Sequence, residues 1–368
     1  MTTGSARAPR VRRTGRRRTV PAALAAAALV AGLTGCGTFS ASGRNQYNLD
    51  QMGAKPLAPT SAPAAAPTGP SGGPTTPAPD LPYDVRPLLS PSHKFFGVAA
   101  EGAPDSMQGV QEFTSLVGKK PNLVEFYSAW GDPFDGGGSA NAWAAGDLPF
   151  MSWEPKTVSL ADIAAGKSDD YIRQVATAIR DTNRPLALSF GHEMNGDWGP
   201  WGTKHATPAD FVSAWRHIHD LFQTIGATSV IWVWSPNQTN IAHTPLQPYW
   251  PGDGYVDWLG VIGYYGQSDL HTFKTLFEPT FDEIRAFTRK PFLIAETAAA
   301  PGAGKGDDIT DLFTSVEARD DIIGFVWFNF HKNVAGETNW RVDSSPSAQD
   351  SFRRNAADDR IGFDVRRP

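Results

Sequence analysis

Eight short apolar runs recur between residues 95 and 330, and most are separated by segments long enough for a helix or a large loop. Apolar runs without strict polar alternation are typical of strands buried on both faces, as in a parallel sheet. The predicted strands are residues 95–100, 123–130, 148–153, 186–192, 229–235, 256–265, 292–296 and 323–330.

The segments between these runs carry helical patterns. Residues 207–226 place apolar side chains on one helical face, with Thr207 as the N-cap, Pro208 at the first position and Asp210 three residues after the cap. Eight strand–helix units in about 280 residues predict a single (β/α)₈ TIM barrel over residues 88–368. The alternative, an open doubly wound sheet, lacks a GxGxxG fingerprint after its first strand.

Two segments precede this predicted domain. Residues 1–36 combine seven arginines with a short apolar stretch that ends at Leu33-Thr34-Gly35-Cys36, which resembles a bacterial lipoprotein signal with Cys36 as the lipidated residue. Residues 37–87 are rich in Ala, Pro, Ser and Thr, which predicts a disordered linker. We therefore expect a lipid-anchored protein on the outer face of a bacterial cell membrane, or one partly secreted, and leave the export route open between Sec and twin-arginine.

The charge distribution narrows the class of partner. The formal net charge is −5, but residues 1–36 hold seven Arg and no acid, so the remainder carries 26 basic and 38 acidic residues, a net of −12. Such an acidic chain is a poor candidate for binding nucleic acid. Its 12 tryptophans favour a neutral polymer substrate.

Two glutamates carry the candidate chemistry. Glu193 follows the apolar run 186–192, and Glu296 is the only charge in the run 291–299. On different strands of one barrel, with aromatic residues around them, two carboxylates are the equipment for hydrolysing glycosides. For a single glutamate, the alternative is a structural salt bridge at the end of a strand. For a single aromatic residue, the alternative is packing in the core.

The motifs GHEMNGDWGPWG, IAET and DWLGVIGYY, with FMSWEP and VWFNF…NWRVDSS, together resemble glycoside hydrolase family 26, a β-mannanase family. The resemblance implies that Glu193 is the general acid/base and Glu296 the nucleophile of a retaining mechanism, without metal or cofactor. It also implies that seven residues bind or orient substrate: His192, Trp198, Tyr264, Trp327, Trp153, Asn195 and Trp201.

The resemblance leaves the sugar open. β-1,4-Mannan is the first expectation for an endo-acting, monomeric enzyme, and the family also contains β-1,3-xylanases and mixed-linkage β-glucanases. Two further hypotheses are a non-catalytic glycan-binding lipoprotein and a transglycosylase acting on envelope polysaccharide. Retention of both glutamates argues against a binding module, whereas hydrolysis and transglycosylation share one covalent intermediate.

Overall fold

Eight parallel strands close into one barrel, in which each strand pairs with its neighbours in chain order. This computed structural model describes residues 81–239, 243–331 and 338–368. It confirms the predicted (β/α)₈ barrel and excludes the open sheet. The strands are β1 Phe95–Ala99, β2 Leu123–Ala129, β3 Leu148–Glu154, β4 Leu186–Phe190, β5 Val230–Trp234, β6 Trp258–Ile262, β7 Phe292–Thr297 and β8 Ile322–Phe328.

Helices surround the barrel and cover the outer faces of the strands. They are α1 Gln108–Val117, α2 Gly136–Ala145, α3 Leu160–Ala164, α4 Asp169–Thr182, α5 Pro208–Ile225, α6 Phe273–Leu276, α7 Glu278–Arg285, α8 Lys305–Ala318 and α9 Pro346–Ala356. The predicted start of α5 is confirmed: Thr207 and Asp210 form a reciprocal capping box around Pro208, and Gly226 ends the helix in a left-handed conformation.

Alternate strand residues point into the barrel, and small residues make room for the polar ones. Inside, the Ser189 hydroxyl lies 2.8 Å from that of Ser235. A Cβ at Gly260 would stand 2.5 Å from Ser235 Oγ and 2.7 Å from Val233 Cγ1. Glycine fits this position in β6 because neighbouring side chains in the barrel interior approach its backbone closely.

The described chain begins within the segment whose composition predicts a linker. Residues 81–87 contact the barrel: the Tyr83 amide donates to Asn183 Oδ1 at 2.9 Å, and the Tyr83 ring packs edge-on against Trp143. The lipoprotein signal, Cys36 and residues 37–80 lie outside the described residues, so their assignments stay predictions. No helix within residues 81–239, 243–331 and 338–368 is long and apolar enough to cross a membrane.

Gly260→Ala should lower the free energy of unfolding by about 1–3 kcal/mol, because the added methyl group overpacks the barrel interior. Gly254→Ala is the matched control, since Gly254 is exposed and no heavy atom lies within 4 Å of its built Cβ. Urea unfolding of the two variants measures the difference. Equal stability would show that the barrel interior accommodates the methyl group.

Candidate active site

Both candidate glutamates lie at the carboxyl end of the barrel, where the fold gathers groups from several strands. Glu296 belongs to β7, and Glu193 follows β4 by three residues. Their exposed fractions are 1% and 4%. Ionised carboxylates are rarely buried so far without partners, so the partners of each one define its chemistry.

Two tyrosines hold Glu296. The Tyr264 hydroxyl donates to one carboxylate oxygen and the Tyr127 hydroxyl donates to the other. Burial, and then the neighbouring Glu125, raises the pKa of Tyr127 well above its ordinary value, so its hydroxyl stays a donor. Two O–H donors fix the plane of its carboxyl group. Glu296 is thus held in one orientation.

Glu193 is held by a loop rather than by a strand. Its φ of +55° and that of Gly191, +56°, are left-handed, and its amide donates to the Ser235 carbonyl at 2.7 Å. Asn237 Nδ2 donates to one carboxylate oxygen at 2.6 Å, and Trp198 Nε1 donates to the other at 3.0 Å. Two neutral donors therefore orient the carboxyl group.

Asn195 acts behind Asn237. The Asn195 side-chain amide donates to the Asn237 carbonyl, and the Asn237 amide donates to Asn195 Oδ1, each at 2.8 Å. Asn195 is fully buried. It is a positioning residue that fixes the partner of Glu193, not a side chain that reaches substrate.

The two tryptophans of the loop have different roles. Trp198 is half-buried beside Glu193, and its indole crosses so close to Gly196 that a Cβ there would lie 2.4 Å from the ring. Trp201 is only 3% exposed and donates its indole N–H to the His192 carbonyl at 2.7 Å. Trp198 keeps part of its ring exposed beside Glu193, whereas Trp201 holds the loop.

His192 faces a third buried carboxyl. Its Nε2 lies 4.0 Å from Glu154 Oε1, while Lys156 Nζ lies 2.7 Å from Glu154 Oε2. Burial raises the pKa of Glu154, and His192 and Lys156 oppose that rise. The His192 ring also stands 6.0 Å from the ring of Tyr127, which places it in the same cleft as Glu296.

Comparison with known proteins agrees with this geometry. Residues 162–353 match the model of "Glycosyl hydrolase family 26". This chain belongs to glycosyl hydrolase family 26. Endoglucanase H of Acetivibrio thermocellus is 33% identical over 274 residues, 68% of this chain and 29% of that protein.

Other relatives match shorter stretches of this chain. A mannan endo-1,4-β-mannosidase of Bacillus subtilis is 29% identical over 131 residues, 34% of this chain and 32% of that protein. The chain thus spans less than a third of the length of either relative. The solved structure of the Bacillus subtilis mannanase BCman has a TM-score of 0.55 at 17% identity, covering 74% of this chain and 88% of that one, which supports the shared fold.

Two aromatics implied by the family 26 resemblance lie outside the cleft. Trp153 is fully buried between β3 and the helices, where it stacks 4.5 Å from Trp130 and packs against Phe222 of α5. Trp327 is fully buried against Phe352 of α9. Because each side chain points away from the barrel axis, this structure corrects their expected role: both are core residues and neither lies under a sugar.

Trp340 occupies a position that the motif reading overlooked. Its ring lies 4.6 Å from that of Tyr264, which donates to Glu296, and its exposed fraction is 4%. The sequence signal was present, since Trp340 stands in the quoted NWRVDSS motif. Trp198 thus contacts Glu193 directly, whereas Trp340 packs on Tyr264, the donor to Glu296.

Glu125 is a second residue that the sequence analysis missed. It lies inside the barrel on β2, two residues before Tyr127, and accepts a 2.8 Å hydrogen bond from the Ser152 hydroxyl. Burial, and then Glu296, raises the pKa of Glu125 well above its ordinary value. The signal that singled out Glu296, a lone carboxylate in an apolar run, also marks Glu125.

The site has no evident place for a metal ion. Over residues 81–239, 243–331 and 338–368, no group of three or more His, Cys, Asp or Glu side chains is arranged to hold one. That the reaction proceeds without metal or cofactor stays a prediction.

Tyr264→Phe and Tyr127→Phe should each lower kcat roughly ten- to hundredfold, because a hydrogen bond to a charged group is worth about 1.5–3 kcal/mol. Tyr265→Phe is the control: Tyr265 donates to Asp311 of α8, outside the barrel, at 3.0 Å. Its kcat should stay within about twofold of wild type. Steady-state rates on one soluble polymer compare the three, and equal losses in all three would remove the tyrosines from the catalytic site.

Proposed function

We propose that this chain is a retaining β-glycanase in which Glu296 is the nucleophile and Glu193 the general acid/base. The observation that carries the proposal is the contrast between the two carboxyl groups. Each oxygen of Glu296 accepts a tyrosine O–H, whereas Glu193 accepts bonds from an amide and an indole. A pair of carboxyl groups in different surroundings is the requirement of glycoside hydrolysis.

The first step forms a glycosyl-enzyme. An oxygen of Glu296 bonds to the anomeric carbon as the glycosidic C–O bond breaks, and Glu193 gives its proton to the departing oxygen. In the second step Glu193 takes a proton from water, the water oxygen bonds to the same carbon, and Glu296 departs. One water is consumed, and the configuration at the anomeric carbon is retained.

The proton on Glu193 is favoured by the negative field of the cleft. Glu154 and Glu296 are buried at the same end of the barrel, so a further negative charge on Glu193 is costly there. Tyrosine donors lower that cost for Glu296 but not for Glu193. The arrangement supports Glu296 as the charged partner and Glu193 as the acid.

The polymer is a β-linked glycan, with β-1,4-mannan the first expectation. The mannan endo-1,4-β-mannosidase relative supports mannan. β-Glucan is a second candidate, because the match to Endoglucanase H covers twice as much of this chain.

The three substrates are separated by measuring the release of reducing ends from mannan, β-1,3-xylan and mixed-linkage glucan, with residues 88–368 as enzyme. The length of the products shows whether attack is endo or exo.

Glu296→Ala and Glu193→Ala should both abolish hydrolysis of the natural polymer but should respond differently to azide. With a phenolate leaving group, Glu193→Ala still forms the glycosyl-enzyme, and azide should release a glycosyl azide of retained configuration. Glu296→Ala has space for azide to attack directly, which inverts the configuration. NMR of the two azide products makes the assignment.

The opposite pattern of products would exchange the two roles. Activity retained in both variants would show that the glutamates are structural, and a wild type that binds but never cleaves would favour a glycan-binding protein. Transfer to an added acceptor sugar in place of water would favour the transglycosylase hypothesis. His192→Ala is the control for changing a side chain of the same cleft, because it removes neither carboxyl group.

We also infer that Cys36 carries a lipid that anchors the chain at the outer face of the cell membrane. The support is the sequence alone: the arginine-rich start, the short apolar stretch and the Leu-Thr-Gly-Cys ending. Cys36→Ser should move the protein from the membrane fraction to the medium, or leave it unprocessed. Fractionation that finds it membrane-bound and normally processed would contradict the anchor.

A further inference from the structure

Lys305 is a buried lysine at the first position of α8. Its exposed fraction is 1%, although lysine is rarely buried so completely. The positive end of the helix dipole adds a second cost to an ammonium group there. Burial lowers the pKa of Lys305 to about 7, opposed by Asp343 and Asp308.

The ammonium group is surrounded by carbonyl oxygens of one short segment. Lys305 Nζ donates to the Arg341 carbonyl at 2.8 Å, and the carbonyls of Asn339 and Trp340 lie at 3.4 and 3.5 Å. Three consecutive carbonyls around one charge form a tether between α8 and residues 339–341. A charged donor strengthens each of these bonds.

The tethered segment is connected to Glu296 through two side-chain contacts. The Trp340 amide donates to the Phe330 carbonyl at 3.0 Å, and the Trp340 ring packs 4.6 Å from the ring of Tyr264. The Tyr264 hydroxyl donates to Glu296. Residues 339–341 therefore place the Trp340 ring against Tyr264, which donates to Glu296.

We propose that Lys305 is a positioning residue for the glycosidase reaction, because its tether to the carbonyls of residues 339–341 holds Trp340 against Tyr264 beside Glu296. This inference rests on the proposed function. Lys305 touches neither substrate nor the reacting atoms and acts through Trp340.

Lys305→Met should lower kcat roughly tenfold, since a small displacement of an aligned group is enough for such a loss. Lys94→Met is the matched control. Lys94 Nζ also donates to two carbonyls, those of Arg319 and Ile322, but it lies just before β1, at the end of the barrel opposite the site. Lys94→Met should leave kcat within twofold, whatever its effect on melting temperature.

A double-mutant cycle tests whether Lys305 acts through Trp340. In a Trp340→Ala background, Lys305→Met should change kcat by less than twofold, because the side chain that it positions is gone. A full tenfold loss in that background would overturn the proposal. If Lys305→Met fails to fold, Lys305→Gln, which keeps an amide donor, takes its place.

The pH dependence supplies a readout that a merely structural residue would not give. The charged form exists below a pKa of about 7, so the wild-type tether loses its charge as the pH rises. The ratio of wild-type to Lys305→Met kcat should fall several-fold between pH 6 and 9, and titration of Glu193 or Glu296 cancels in that ratio. A constant ratio would overturn the role of the charge.

The other charged groups around Lys305 are paired. Asp343 accepts from Arg341 at 2.8 Å, and Asp308 lies 3.0 Å from the ring of His271. Because the His271 ring contacts Asp308, the ratio is measured again in a His271→Gln background. The same fall there assigns the effect to Lys305, and its disappearance assigns it to His271 and overturns the proposal.

Hydrogen–deuterium exchange gives an answer that needs no turnover. The Trp340 amide donates to the Phe330 carbonyl, and the Val342 amide donates to Asn329 Oδ1. Both amides should exchange at least tenfold faster in Lys305→Met, and their exchange rates should not change in Lys94→Met. An inactive wild type with this exchange pattern would refute the β-glycanase but keep the tether. An active wild type with unchanged exchange and kcat in Lys305→Met would refute the tether alone.

Discussion

Electrostatic repulsion between buried carboxyl groups is the constraint on which this site depends. Four of them share the carboxyl end of the barrel: Glu125, Glu154, Glu193 and Glu296. The surroundings of three of them differ. Glu296 accepts two tyrosine hydroxyls, Glu154 pairs with Lys156, and burial, followed by Glu296, raises the pKa of Glu125 well above its ordinary value. A proton on Glu125 removes one negative charge from the surroundings of Glu296.

The same constraint explains why aromatic residues form so much of the site. A tyrosine hydroxyl or an indole N–H donates without adding a charge, and its ring excludes water from the carboxyl group that it binds. Tyr127 and Tyr264 do this for Glu296, and Trp198 does it for Glu193. A cationic partner would instead stabilise a charge on the acid, which must carry a proton before the first step.

The fold and the positions of the two candidate glutamates at the carboxyl end of the barrel could be predicted from sequence, because each depends on one-dimensional signals. The barrel follows from eight apolar runs, and Glu193 and Glu296 follow from single charges within them. The roles of Trp153 and Trp327 could not be predicted, because a strand buried on both faces is apolar at every position and hides which residues point inward. The Ser152–Glu125 bond shows that Ser152 points into the barrel, and the packing of Trp153 against Phe222 shows that the next residue points outward.

The two glutamates also differ in how their positions are encoded, and this explains why one motif is specific and the other weak. Glu296 lies in β7 at a register irregularity and is fixed by tyrosines distant in sequence, so its surroundings leave little local pattern. Glu193 adopts a left-handed φ that costs a non-glycine residue about 1–2 kcal/mol. Only an over-determined loop keeps it there. The Asn195–Asn237 pair and the Trp201–His192 bond hold the loop in this conformation, and Asn195, His192 and Trp201 all lie within ten residues of Glu193. The motif His-Glu-Met-Asn-Gly followed by Trp198 and Trp201 therefore encodes the contacts that keep one strained backbone position in place.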